Sequence, residues 1–576
     1  MESVTWKIGG EAGFGIMASG TMLARAMSRA GYFVFAFNEY PSLIRGGHNV
    51  VTMRIATGEF AALNRDVHIL VALNDQTVER HKDEVSDGAL ILFDPQDHEW
   101  QTSDFSKNVV LLPIPLRTMV AQKAADPVMR NTITLGATMA LLGRPFEALS
   151  IVISDQFKRK GQEVVDANVA IAKLGFDYVK EKFSNITSMT LTEGKQNGRK
   201  LLINGSEAVG VGAVRAGLKF AAIYPMTPIN SLITFLADHA SKLKLVYKQP
   251  EDEIAGINMA IGASVAGARS MVATSGGGFA LMVEGLSLAG MIEVPLVIDM
   301  GMRVGPATGM PTYTEQGELQ FLIHAGHGEF ARILLAPGDA AEAYKLTIDA
   351  FHLADQFQIP VFLVTDKYLN ESQWCVNEAA VSGSVAIDRG KLVHGELPAD
   401  GSFKRYEATV ADGVSARSLP GMKNGQYYAN SYEHDETGHV TEKAQGRAKM
   451  VEKRLRKLAA IQKMVPPPTV YGDADAEVSL VTWGSMKGPV LEAMQNSKFK
   501  IQNERANVIH YTWLYPFPTE VTQKLLAGKK RIIDVEQNAT GQLASLIREY
   551  TGIEITEKLL KYDGRPWFPE EILERP

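Results

Sequence analysis

The sequence has little cysteine and no excess of basic residues, and each shortage excludes a class of protein. Cys375 is the only cysteine among 576 residues, so the chain forms no internal disulfide and cannot by itself ligate an iron–sulfur cluster or a structural zinc ion. Lysine and arginine number 59 against 65 aspartate and glutamate, a net charge of −6. This balance does not indicate binding to nucleic acid or to an anionic membrane.

Long apolar runs are also missing. No run approaches the roughly 18 uninterrupted apolar residues of a transmembrane helix, and the first residues, MESVTWKIGG, lack the basic and apolar regions of a secretory signal. We therefore expect a cytoplasmic protein. Apolar residues make up 45% of the chain and charged residues 22%, as in globular domains, and the length suffices for about three or four domains.

Alternating strand-like and helix-like runs predict a multidomain α/β protein. We expect an αβ domain over residues 1–190, a polar linker over 191–200, and a doubly wound parallel sheet domain over 201–385. A connecting segment closed by a charged helix follows over 386–470, and a smaller αβ domain over 471–576.

The central block contains four turns that each follow a predicted strand. They are YPMTP (224–228), QPEDE (249–253), SGGG (275–278) and GMRVGPATGMPT (301–312). Ligands of open α/β sheets bind beyond the carboxyl ends of the strands. We therefore expect these four turns to border one site.

Thr227 stands between two prolines and allows two interpretations. In the first, Pro225 ends the strand, Thr227 is the N-cap of the next helix and Pro228 occupies its first position, a cap that stabilises by about 1 kcal/mol. In the second, the hydroxyl is fixed at the edge of the sheet so that it binds a substrate. Both remain open at this point.

The second turn places Glu251, Asp252 and Glu253 at the start of a helix, where the helix dipole favours carboxylates. Glu253 begins a stretch with almost no charge until Arg269. We expect this helix to be buried on most sides, with the pKa of Glu253 raised into a range useful for proton exchange.

The third and fourth turns are less specific when each is taken alone. SGGG lacks the Lys-Ser/Thr of a P-loop and indicates only a close approach to the backbone. Arg303 lies in a loop with several glycines and prolines, which suits capture of a carboxylate. A structural ion pair with an acid of the same sheet is the alternative.

Taken together and in this order, the four turns resemble the alpha subunit of the 2-oxoacid:ferredoxin oxidoreductases, above all the 2-oxoglutarate enzymes. The resemblance continues in RYEATVADGVSARSLPG (405–421) and VEQNATGQL (535–543). GGEAGFG (9–15) and SLIRGGH (42–48) resemble the gamma domain of the same family, here placed ahead of alpha. The implied fold is a gamma-type domain, a central thiamine-diphosphate pyrimidine-binding domain and a C-terminal domain like that of transketolase.

The resemblance implies a reaction and a partner. Such enzymes use thiamine diphosphate to decarboxylate a 2-oxoacid, pass electrons through a 4Fe-4S cluster to ferredoxin, and form an acyl-CoA. Diphosphate, Mg²⁺ and the cluster belong to a separate beta subunit in an (alpha–beta)₂ heterotetramer, so no metal site is expected on this chain. With 2-oxoglutarate the reaction serves the tricarboxylic acid cycle, either oxidatively or reductively as carbon fixation. A broad-specificity, pyruvate or branched-chain 2-oxoacid enzyme is the alternative.

Residue roles follow from the resemblance. Glu253 matches the glutamate that hydrogen-bonds N1′ of the cofactor's aminopyrimidine and so favours the tautomer that removes the thiazolium C2 proton, with Glu251 as the fallback. Thr227 matches a threonine that contacts the substrate carboxylate or oxo group, and Arg303 an arginine that meets the same carboxylate and later CoA. The residues expected beside the cofactor are Glu253, Thr227, Tyr224, Pro225, Gly276 and Gly277.

The N-terminal block allows three interpretations. The resemblance implies contact with CoA, with Gly13 and Arg45 as candidate residues beside a helix start that suits a phosphate. A docking module without a ligand is the second. The third treats GGEAGFG as a dinucleotide fingerprint with Glu39 as the ribose ligand, although its spacing is not GxGxxG.

Overall fold

The chain folds into two compact units, each described here by itself. The computed structural model describes residues 1–43, 46–187, 189–194, 198–495 and 505–574. The first unit comprises residues 1–203, 372–380 and 568–574, and the second comprises 204–371 and 381–567. None of the described helices is both long enough and apolar enough to cross a membrane.

The first unit is built on an eight-stranded sheet. Its strands are β1 (Ser3–Glu11), β2 (Phe33–Glu39), β3 (His48–Ala56), β4 (Val67–Ala72), β5 (Val85–Phe93), β6 (Val109–Pro113), β7 (Lys200–Asn204) and β14 (Gln373–Asn377). Their order is β6-β5-β4-β1-β3-β2-β14-β7. Strand β1 pairs with β4 in parallel and with β3 antiparallel.

Helices cover this sheet with apolar faces. They are α1 (Ile16–Arg29), α2 (Asp75–His81), α3 (Leu116–Gln122), α4 (Arg130–Leu141), α5 (Phe146–Phe157), α6 (Gln162–Lys182) and α18 (Pro569–Leu573). Glycine brings α4 and α6 into backbone contact, because a Cβ atom at Gly175 would lie 2.0 Å from the carbonyl oxygen of Ile133. The predicted strand, glycine turn, helix and strand at the start of the chain are confirmed as β1, α1 and β2.

The second unit contains two sheets. The strands of the first are β8 (Phe220–Ala222), β9 (Val246–Lys248), β10 (Ser270–Thr274), β11 (Leu296–Met302), β12 (Ile333–Leu335), β13 (Pro360–Asp366) and β18 (Trp513–Tyr515). Their order is β18-β12-β13-β11-β10-β8-β9. The pairings from β12 to β9 are parallel, which confirms the predicted doubly wound sheet, and β18 adds an antiparallel edge strand.

The second sheet belongs to the last part of the chain. Its strands are β15 (Thr469–Gly472), β16 (Val478–Trp483), β17 (Ala506–Tyr511), β19 (Arg531–Glu536) and β20 (Glu557–Leu560), in the order β15-β17-β16-β19-β20. The helices of the unit are α7 (Gly205–Arg215), α8 (Asn230–Leu243), α9 (Glu253–Val265), α10 (Gly276–Met291), α11 (Leu319–His324), α12 (Ala340–Phe357), α13 (Lys367–Glu371), α14 (Ala444–Gln462), α15 (Lys487–Gln495), α16 (Thr519–Leu526) and α17 (Gln542–Thr551).

The connecting segment is held by buried ion pairs. The predicted charged helix is confirmed as α14. Lys453 and Lys457 of this helix each place Nζ 2.6 Å from a carboxylate oxygen of Glu293, and all three side chains are buried. Arg417 of the segment likewise pairs with the buried Asp355. Each buried charge thus has an opposite charge that offsets its desolvation.

Candidate active site

The four predicted turns meet at one edge of the parallel sheet. They follow β8, β9, β10 and β11, whose carboxyl ends lie side by side because the strands are parallel. Arg303, after β11, donates a hydrogen bond from Nη1 to the carbonyl oxygen of Thr227, after β8, at 3.0 Å. The four turns therefore lie together at one edge of the sheet, and the site that they are expected to border stays a prediction.

Glu253 is the first residue of α9 and points inward. Asp252 caps the helix, since its Oδ1 accepts a hydrogen bond from the amide of Ala255 at 2.8 Å. Glu253 is only 3% exposed, and its Oε1 is buried without a hydrogen-bond partner in the part of the chain that the structure describes. Glu251, the fallback, is exposed.

Gly278 makes room for this carboxyl group. A Cβ atom at Gly278 would lie 2.3 Å from Oε1 of Glu253 and 2.1 Å from Oγ1 of Thr274, far inside van der Waals contact. The third glycine of the SGGG turn is therefore required beside the carboxylate. An unpartnered buried carboxylate oxygen is expensive in a folded protein, which is typical of a group that awaits a ligand.

The capping interpretation of Thr227 is wrong. Helix α8 begins at Asn230, and no side chain caps it. The residues before it form a turn in which the amide of Ile229 donates to the carbonyl oxygen of Met226 at 3.0 Å, and the bond between Thr227 and Pro228 is cis. Since this turn takes up the residues expected to begin the helix, the Thr227 hydroxyl is too early in the chain to cap it.

The Thr227 turn packs directly on strand β11. A Cβ atom at Gly301 would lie 3.1 Å from Cγ of Pro228 and 2.9 Å from Cγ2 of Ile229. Glycine at this strand position lets the turn approach. Among the described residues, the hydroxyl of the partly exposed Thr227 has a single hydrogen-bond partner, Nδ2 of Asn230 at 3.4 Å, so the hydroxyl is available to a ligand.

Arg303 is half-buried, and burial lowers the pKa of its guanidinium group. It forms no ion pair with any carboxylate that the structure describes, so the interpretation as a structural ion pair is wrong. Attraction to Glu318 opposes this effect of burial on the pKa of Arg303. Sequence reasoning missed the Glu318 carboxyl group. Glu315 and Glu318 lie in TYTEQGEL with no basic residue between them, and this was the available signal.

The remaining predicted residues line the same turns. A Cβ atom at Gly276 would lie 2.5 Å from Oε1 of Glu318. Gly277 is exposed, and a Cβ atom there would have room, since the carbonyl oxygen of Ala307 would lie 3.9 Å away. Tyr224 is partly buried and Pro225 is exposed, both in the irregular stretch after β8.

Both halves of the chain match known sequences. Residues 5–178 match the family described as "Pyruvate ferredoxin/flavodoxin oxidoreductase", and residues 211–453 match "Pyruvate flavodoxin/ferredoxin oxidoreductase, thiamine diP-bdg". The 2-oxoacid:ferredoxin oxidoreductase subunit alpha of Saccharolobus solfataricus is 33% identical, over 99% of this chain and 97% of that protein. The chain belongs to the 2-oxoacid:ferredoxin oxidoreductase family.

Two further relatives extend this assignment. The 2-oxoglutarate oxidoreductase subunit KorA of Mycobacterium tuberculosis is 26% identical over 99% of this chain and 91% of that protein. A structure of the 2-oxoglutarate:ferredoxin oxidoreductase from Magnetococcus marinus with 2-oxoglutarate, coenzyme A and succinyl-CoA bound is 31% identical, has a TM-score of 0.91, and covers 100% of this chain and 99% of that one. This chain is therefore the alpha subunit of a 2-oxoacid:ferredoxin oxidoreductase, with the predicted multidomain fold.

In this 2-oxoacid:ferredoxin oxidoreductase subunit, the VEQN motif organises the loop that carries Arg303. Asn538 donates from Nδ2 to the carbonyl oxygen of Gln316 at 3.2 Å and to Glu536 at 2.7 Å. The Gln316 side chain in turn donates to the carbonyl oxygen of Trp483 at 3.1 Å. The small C-terminal sheet thus holds the far end of the loop, and the motif has an organising role.

The interpretation of GGEAGFG as a dinucleotide fingerprint is wrong. Gly9 and Gly10 are strand residues of β1, paired with Val50 and Asn49 of the antiparallel β3, so they do not form the turn that the fingerprint requires. Gly13 has a φ of 98° in the turn before α1 and faces open space. Arg45 lies outside the described residues.

No group of three or more histidine, cysteine, aspartate or glutamate side chains among the described residues is placed to hold a metal ion.

Proposed function

We propose that this chain is the alpha subunit, with a fused gamma-type domain, of an enzyme that interconverts 2-oxoglutarate, CoA and oxidised ferredoxin with succinyl-CoA, CO₂ and reduced ferredoxin. The observation that carries the proposal is the full-length likeness to the Magnetococcus marinus 2-oxoglutarate enzyme. The KorA relative supports the same substrate. The cytoplasmic location, the direction of the reaction and the five-part domain division stay predictions.

The geometry around Glu253 fits the aminopyrimidine of thiamine diphosphate. When bound, the cofactor stabilises the negative charge that decarboxylation leaves on the substrate carbon. Glu253 supplies a buried Oε1 that has no hydrogen-bond partner in the described part of the chain and can share a proton with a ring nitrogen. Gly278 keeps that oxygen free of side-chain contacts from the glycine turn. Tyr224, Pro225, Gly276 and Gly277 are proposed to border the same cofactor.

Thr227 and Arg303 are proposed to bind the 2-oxoacid. The guanidinium group is fixed by the carbonyl oxygen of Thr227 and has no competing ion pair among the described residues, so most of its donors remain for a carboxylate. The Thr227 hydroxyl offers one more donor from the same turn. After decarboxylation we propose that Arg303 faces the incoming CoA.

A partner subunit is proposed to cover the outer faces of α9 and α10. Ile254 and Met259 of α9 and Leu281 of α10 are 46%, 41% and 50% exposed, on helices adjoining the Glu253 site. The expectation that α9 is buried on most sides is therefore wrong for this chain alone, because Ile254 and Met259 have no cover among the described residues. Large apolar side chains exposed on two helices beside a site are consistent with cover by another subunit.

The proposed occupant is a beta subunit that binds the cofactor diphosphate with Mg²⁺, holds the 4Fe-4S cluster and passes electrons to ferredoxin. The single cysteine of this chain is consistent with a cluster held elsewhere. The expected assembly is an (alpha–beta)₂ heterotetramer. The first unit is proposed to contact CoA, with Gly13 and Arg45 as the candidate residues.

The test is reconstitution with the beta subunit, thiamine diphosphate, Mg²⁺, CoA and a viologen acceptor. We expect reduction that depends on a 2-oxoacid and on CoA, with the highest kcat/KM for 2-oxoglutarate. Similar kcat/KM values for pyruvate and branched-chain 2-oxoacids would favour the broad-specificity alternative. Absence of reduction with every 2-oxoacid would refute the proposed function.

A further inference from the structure

The loop between β11 and α11 carries two carboxyl groups to which the proposed reaction assigns no role. Glu315 is used structurally, since its Oε2 accepts a hydrogen bond from the amide of Gly305 at 3.2 Å. Glu318 ends the loop, directly before α11. Its Oε2 is buried and has no hydrogen-bond partner among the residues that the structure describes.

Glu318 lies against the glycine turn at the head of α10. A Cβ atom at Gly276 would approach Oε1 of Glu318 to 2.5 Å, and one at Gly305 would lie 4.0 Å away. The carboxyl group therefore occupies space between two of the four turns of the site. Any side chain at Gly276 would displace it.

Two charged groups among the described residues act on Glu318. The pKa of Glu318 is raised to about 8. Burial is the largest cause of this rise and repulsion from Glu315 adds to it, whereas attraction to Arg303 lowers the pKa. Arg303 itself donates one hydrogen bond to the carbonyl oxygen of Thr227 and forms an ion pair with neither carboxylate. Arg303 thus acts electrostatically on a carboxyl group whose pKa of about 8 leaves it mostly protonated at pH 7.

We propose that Glu318 is a positioning residue that sets how strongly Arg303 attracts the substrate carboxylate. When Glu318 is neutral, the substrate carboxylate is attracted to the full charge of the Arg303 guanidinium group. When Glu318 is ionised, its carboxylate competes with the substrate for that charge. The proposal rests on the proposed function, because it takes the ligand of Arg303 to be the carboxylate of a 2-oxoacid.

A pH dependence of substrate binding follows from linkage. A substrate carboxylate beside Arg303 disfavours a second negative charge at Glu318, so binding above the pKa of Glu318 takes up a proton. If only the neutral form binds well, a pKa of about 8 makes the KM for the 2-oxoacid rise about tenfold between pH 7 and pH 9. The effect on kcat is smaller, because the bound complex already contains neutral Glu318.

The decisive variant is Glu318→Gln in the complex with the beta subunit. The amide has nearly the same shape and is neutral at every pH, so we expect a KM close to the wild-type value at pH 7 and no rise up to pH 9. Glu315→Gln is the matched comparison. It removes a charge that raises the pKa of Glu318, so the rise in KM should persist but move to lower pH.

A second measurement does not depend on turnover. Binding of glutarate, which lacks the reactive ketone, is followed by calorimetry at pH 8.5 in buffers with different ionisation enthalpies. With a pKa of about 8 for Glu318, the wild-type complex should take up about three-quarters of a proton per glutarate bound at this pH, and Glu318→Gln none. Should Glu318→Gln fail to assemble, the Glu315→Gln comparison decides, and an unmoved KM profile there overturns the proposal.

The outcomes separate this proposal from the function on which it rests. A wild-type complex that reduces viologen at pH 7, with the same rise in KM and the same proton uptake in Glu318→Gln, would overturn the role of Glu318 alone. No turnover by the wild-type complex with any 2-oxoacid at pH 7 would instead refute the proposed function.

Discussion

A single methyl group at Gly278 should disable the site without unfolding it. A Cβ atom at this position would lie 2.3 Å from Oε1 of Glu253, about 1 Å inside ordinary van der Waals contact at 3.4 Å. Because a displacement of about 1 Å at a reacting group can lower a rate about a hundredfold, Gly278→Ala is expected to reduce kcat by roughly that factor. The assay is viologen reduction by the reconstituted complex at saturating 2-oxoglutarate.

Gly285→Ala is the matched control. It adds the same methyl group to the same helix, where a Cβ atom would lie 2.7 Å from Cγ2 of Ile257, away from the carboxyl group. Overpacking of about 1–3 kcal/mol is partly offset in both variants by the higher helix propensity of alanine, worth up to about 1 kcal/mol. Similar thermal unfolding with a loss of kcat only in Gly278→Ala is expected. Full activity of Gly278→Ala would refute the reasoning.

Three further predictions concern other parts of the chain. Thr227→Ala should lower kcat/KM about tenfold, the effect of one lost hydrogen bond, with an unchanged Tm because Thr227 caps no helix; a fall in Tm alone would contradict this. Glu293→Gln leaves Lys453 and Lys457 buried without their carboxylate, and urea unfolding should show a loss of about 3–5 kcal/mol. Burial first, then His81, lowers the pKa of His48 to about 4. The stabilising effect of neutral, buried His48 is therefore complete above pH 6.5 and is lost as the pH falls towards 4. Thermal unfolding of His48→Gln should lack the loss of stability that protonation of His48 causes in this pH range.

The gathering of the four turns could be predicted from the sequence because it depends on one rule. Parallel strands bring their carboxyl ends to one edge, so residues as far apart as Thr227 and Arg303 were expected together, and a hydrogen bond joins them. Burial of Glu253 was also predictable, since the helix that it begins is followed by no further charge until Arg269.

Other features depend on contacts distant in the chain. The helix after Thr227 was expected too early, because the turn between Met226 and Ile229 takes up the residues that local preference assigns to the helix. The lysines of α14 are buried by Glu293, about 160 residues away, and no local pattern indicates that pairing. Glu318 was missed because the raised pKa of its carboxyl group arises mainly from burial, and its neighbour Gly276 lies in another turn.

The measurement that tests the central claim most directly is the turnover of Glu253→Gln beside Glu251→Gln, each reconstituted with the beta subunit. The two residues occupy the same turn, but Glu251 is exposed, whereas Glu253 is buried and has an oxygen without a hydrogen-bond partner among the residues that the structure describes. We predict that Glu253→Gln lowers kcat at least about a hundredfold, the usual scale for loss of a positioned proton-transfer group, while Glu251→Gln retains wild-type turnover. Wild-type turnover by Glu253→Gln would contradict the assignment of Glu253 to the cofactor.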